Sequence, residues 1–69
     1  MTRLEYDNLQ DTILDLMEQE KRYCANYIAN NPGDRKRREN IRGYILDGLQ
    51  SVLSSLHDQA KTGKISIEG

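Results

Sequence analysis

From about Leu4 to Ala29 the apolar side chains return every three or four residues, so that Tyr6, Leu9, Ile13, Leu16, Met17, Cys24, Tyr27 and Ile28 share one helical face. The spacing predicts a helix over residues 4–29. Thr2 with Glu5 three positions later is a capping-box signature, and the acids that follow suit the positive end of the helix dipole. A second stripe runs through Ile41, Ile45, Leu49, Val52, Leu53, Leu56 and Ala60, widened by Leu46, and predicts another helix over about 35–61. Gly63 supplies its stop, with Lys61 in the last turn facing the negative end of the dipole.

Between the stripes, Asn30-Asn31-Pro32-Gly33-Asp34 removes a backbone donor, fixes one φ and permits another to turn positive. The chain must bend there. Two restarts compete: Asp34 as the N-cap, or Asn31 as the N-cap with Pro32 at the first helical position. Either one sets the Asp34 carboxylate on the amide donors of the second helix. The short connection folds residues 1–62 into an antiparallel hairpin and leaves 63–69 as a tail. The tail is expected to fray, or, in a sharper reading of Ile65 and Ile67, to join the edge of a partner's sheet. Gly48, at the margin of the second stripe, is expected where the helices approach closely.

Length now changes the picture. A hairpin of 69 residues has one contact face, too little to offset about 1.5 kcal/mol of ordering entropy per residue. The single cysteine, Cys24, excludes an internal disulfide, and with His57 as the only histidine no four-ligand zinc site forms within one chain. Oligomerisation remains. The fold class is therefore all-α, an antiparallel helical hairpin of two long helices assembling into a homo-oligomeric bundle, with Leu14, Leu46 and Leu53 on a second contact side. In outline the chain resembles small plasmid-encoded RNA-binding proteins that pair two helical hairpins into a four-helix bundle, a resemblance of architecture without a shared motif. The unpaired thiol and the lack of a signal-like apolar run favour the cytoplasm, and no stretch is long and apolar enough to span a membrane.

A net charge of −1 conceals an uneven distribution. The first helix begins acidic; the second begins with Arg35, Lys36, Arg37 and Arg38, followed by Arg42. Cations in the first turns oppose the helix dipole and crowd one another, which points to a use for the charge. With Tyr23, Tyr27 and Tyr44 as stacking surfaces, this end suits a phosphate-bearing ligand, nucleotide or nucleic acid. Helical phase also sets Glu20 in the middle of the first stripe and Arg38 and Arg42 on the second. Glu20 falls within reach of Arg42 and is expected to be paired, either as a buried ion-pair clasp with Arg38 and Arg42 or with those arginines and Tyr27 in a polar pocket between subunits.

The acids Asp7, Asp11, Asp15 and Glu18 form an outer ladder that is solvated in one reading and in another docks on a larger protein target. Catalysis finds no support: no nucleophile and base fall at a useful spacing, no metal ligands cluster, and no phosphate-loop or dinucleotide fingerprint implies a cofactor.

Overall fold

The computed structural model describes residues 1–68. Helix α1 spans Arg3–Asn30, a one-turn 3-10 segment spans Pro32–Asp34, and helix α2 spans Arg35–Lys61. The chain is all-helical in its regular structure, and the two helices pack against each other as an antiparallel hairpin.

Each boundary has a local cause. At the start of α1 the Glu5 N–H donates to Thr2 Oγ1 at 3.1 Å while the Thr2 N–H donates to Glu5 Oε1 at 3.0 Å, the reciprocal capping box. The Thr2 N–H first, and then the Thr2 hydroxyl, hold the Glu5 carboxyl below its ordinary pKa. At the far end of α1 the Asn31 side chain and N–H both donate to the Tyr27 carbonyl, at 3.0 and 2.8 Å. Pro32 follows Asn31 at the first position of the 3-10 turn, and Asp34 then stands at the N-cap position of α2, so each of the two restarts describes one of two consecutive segments. Asp34 does not sit on the helix-start amides as expected: neither it nor Asn31 makes a side-chain cap on the second helix. At the end of α2, Gly63 takes φ +81°, the left-handed conformation that reverses the chain.

The apolar core lies toward the open end of the hairpin, away from the bend. Tyr6, Ile13, Leu53 and Leu56 form it, with Leu49, Ala60, Ile65 and Ile67 packed against it. Through Glu68 the tail lies back along the hairpin. After Gly63 the alternation of Ile65 and Ile67 puts both side chains on the core, and the backbone follows: Ile65 N–H donates to Gln59, Glu68 N–H to Met1 and Arg3 N–H to Glu68, at 2.8 to 3.1 Å. Burial of two β-branched residues, with backbone groups paired rather than left to water, outweighs the entropy of a short terminus. Among the described residues the added-strand reading has no counterpart beyond an isolated bridge between Thr2 and Glu68.

Two other expectations change. A Cβ at Gly48 would meet nothing within 4 Å, so Gly48 does not mark close approach of α1 and α2. Leu53 belongs to the core and Leu46 is half-buried, which leaves Leu14 as the exposed leucine on that side. A longer apolar surface stays exposed on the other side of the hairpin: Leu9, Leu16 and Tyr23 from α1 with Ile41, Ile45 and Val52 from α2. No helix is long and apolar enough to cross a membrane among the described residues.

Candidate functional site

Toward the bend the greasy core gives way to polar clasps. Cys24, fully buried, donates its thiol to the Arg38 carbonyl at 3.8 Å, which fixes α1 and α2 at a common level. Glu20 lies one turn farther from the bend, within reach of an extended arginine. Arg38 fills that gap: its Nη2 meets Glu20 Oε1 at 2.5 Å, and the guanidinium stands over the Tyr23 ring with 5.2 Å to the centroid. Arg38 is 7% exposed. Its bond to Glu20 holds the guanidinium more firmly charged, with burial opposing. Nη1, also buried, has no hydrogen-bond partner.

Of the two arginines expected around Glu20, Arg38 makes the ion pair and Arg42 does not. Glu20 lines a surface groove with Leu16, Gln19, Tyr23, Ile45 and Leu49. Arg38 is seven residues before Ile45 and so lies in line with it on that side of α2, whereas Arg42 is rotated about 40° away. Arg42 is half-buried and makes no ion pair among the described residues.

At the bend itself Tyr27 donates its phenol to Asp34 Oδ2 at 2.6 Å. The carboxylate acceptor, then burial, raises the Tyr27 pKa above its ordinary value. The sequence pointed to Tyr27 as a stacking surface; the structure uses its hydroxyl to tie the two helices across the turn. Arg35, Lys36 and Arg37 stand exposed around this tie. Arg35 pairs with Glu39 at 3.0 Å, one turn along its own helix, while Lys36 and Arg37 have no ion-pair partner among the described residues.

Tyr23 is 62% exposed, with Arg38 against its ring. Tyr44 is 80% exposed on the outer face of α2, beside Glu39, Asn40, Gly43 and Asp47. Two acids flank it, so it does not join the basic cluster. The structure thus brings Glu20, Tyr23 and Arg38 together, ties Tyr27 to Asp34 and presents Arg35, Lys36 and Arg37 to solvent, while Arg42 makes no ion pair among the described residues and Tyr44 lies between Glu39 and Asp47. Asp34 is the residue that the sequence reading placed in the wrong role. The signal for its contact was its seven-residue separation from Tyr27 across a tight turn. No group of three or more His, Cys, Asp or Glu converges to hold a metal ion among the described residues.

No protein-family model matches the chain, and no curated protein or solved structure is significantly similar to it.

Proposed function

We propose that this chain is a small, non-catalytic, self-associating protein that binds a phosphate-bearing ligand, nucleotide or nucleic acid, at its basic bend. One observation carries the reading: Arg35, Lys36 and Arg37 all stand in solvent on the first turn of α2, and among the described residues only Arg35 of the three has an ion-pair partner. Each opposes the dipole of its own helix by about 0.3 to 1 kcal/mol, and an arriving anion converts that repulsion into attraction. Arg38 and Glu20 act beneath them as a brace between the helices, with the Tyr23 ring against the Arg38 guanidinium.

The clean variant replaces the three exposed cations and leaves the brace alone. Fluorescence anisotropy with a labelled single strand, a labelled duplex and a labelled mononucleotide tests it in low and moderate salt. Arg35→Ala, Lys36→Ala and Arg37→Ala together should weaken binding by roughly a hundredfold, with helix content unchanged. A polymer gives a salt slope of about −0.9 per duplex phosphate neutralised, while a mononucleotide gives a shallow one. A parent protein that binds none of the three probes at low salt, or a triple variant that binds them as the parent does, overturns the reading.

A further inference from the structure

We propose that a second copy of this chain covers the face carrying Leu9, Leu16, Tyr23, Ile45 and Val52, with its bend above the first copy's open end, so that α1 packs antiparallel on α1 of the partner. The inference rests on the self-association in the reading above and adds the face, the orientation and the residue contacts.

The face is continuous. Residues seven apart on a helix drift by only about 20°, so Leu9, Leu16 and Tyr23 stand in one line on α1, and Ile45 and Val52 in another on α2. Leu16, Tyr23, Ile45 and Leu49 line one groove, and Leu9, Val52, Leu56 and Ile65 line the next. Exposure of Leu9, Leu16, Tyr23, Ile45 and Val52 ranges from 39% to 62%.

The area matches one occupant of this size. The chain exposes 5161 Å² at 8.0 kDa, whereas a compact monomer of that mass exposes about 4450 Å². The excess of roughly 700 Å² is close to the ~800 Å² that each partner contributes to a stable interface. The radius of gyration, 15.6 Å against about 11 Å for a compact chain of this length, says the same. A single layer of two helices is what one half of a four-helix bundle looks like.

Charge chooses between the two ways a face can meet its own copy. Residues 18–47, the half holding the bend, carry seven bases and five acids, net +2. Residues 1–17 and 48–69, the open half, carry three bases and six acids, net −3. Face-to-face stacking with the bends at the same end sets like charge on like and places α1 over the partner's α2. Stacking with the bends at opposite ends sets opposite charges together and places α1 over α1 and α2 over α2. In that second arrangement Leu16, near the middle of the hairpin, meets the partner's Leu16. Leu9 and Tyr23, each seven residues away on either side, meet each other. The partner's Leu9 thereby covers the Tyr23 ring that carries the Arg38 guanidinium, and the two basic bends lie at opposite poles.

Native mass spectrometry and cross-linking through one introduced surface cysteine test this on the full chain, with the native protein, whose own thiol is buried, as the blank. We expect an even-numbered assembly. Leu16→Cys should link to itself on mild oxidation; Leu9→Cys and Tyr23→Cys should each link poorly alone and efficiently when mixed. Leu16→Glu should weaken association by roughly a hundredfold, and Leu14→Glu, on the other side, should leave it within a few-fold of the parent. If Leu16→Glu fails to fold, the cross-links still decide. A monomer at roughly 100 micromolar sinks self-association itself. An oligomer in which Leu16→Cys links to Leu49→Cys instead, or in which Leu9→Cys links to itself, sinks the face or the orientation and leaves self-association standing. The anisotropy titration reads phosphate binding independently of all these outcomes.

Discussion

At the scale of single residues the bend is held by two side-chain ties of different chemistry. Glu20 and Arg38 form a nearly dry ion pair, and removing one partner leaves the other charge without compensation. Glu20→Leu and Arg38→Met should each lower the melting temperature by roughly 10 °C, and the double substitution should recover most of that loss. Melts followed by circular dichroism check it; a double variant as unstable as the worse single one would mean the pair does more than neutralise itself. Tyr27 and Asp34 give a pH signature. Because the Tyr27 pKa is raised in the folded chain, its contribution is complete below its ordinary value of 10.0 and fades as pH climbs through the elevated one. The fall in melting temperature between pH 8 and pH 11 should therefore be steeper in the parent than in Tyr27→Phe, with the two curves converging at the alkaline end.

At the scale of elements, two long helices are made out of modest local preferences. The capping box starts α1, and a left-handed glycine ends α2. Gly63→Ala must adopt φ +81° with a Cβ, and it should cost about 1 kcal/mol and loosen the docking of Ile65 and Ile67. Gly43 is the opposite case. It lies inside α2 with open space where a Cβ would go, so Gly43→Ala should stabilise the protein by about 0.5 to 1 kcal/mol. Urea titrations of both variants measure the two signs in one experiment. The contrast separates a glycine that the backbone requires from one that it merely tolerates.

At the scale of the whole molecule the division of labour follows the long axis. Apolar packing and the returning tail close one end, and ion pairing and the Tyr27 to Asp34 tie close the other. The chain measures 50 × 18 × 9 Å between Cα extremes, a single layer with a small core. With the proposed second copy in place, stability depends on association, so the melting temperature should rise by several degrees between roughly 5 and 500 micromolar protein. Calorimetry across that range checks it, and a concentration-independent transition would place all of the stability within one copy.

The residue pattern alone determined the two helices, the bend between them, the capping box at Thr2 and Glu5, the inward position of Cys24 and the stop at Gly63. All of these depend on neighbours within one or two turns, where helical period, missing donors and allowed φ decide the outcome. Tertiary structure decided which arginine meets Glu20, where Asp34 directs its carboxylate, and that the tail packs on the core. Those choices turn on rotations of about 40° about a helix axis and on side chains brought together by the hairpin, quantities that a one-dimensional spacing leaves open. The exposed line of Leu9, Leu16 and Tyr23 shows the same boundary. Period placed Leu9 and Leu16 on the apolar face of α1, and only the packed helices showed that one neighbour does not cover them.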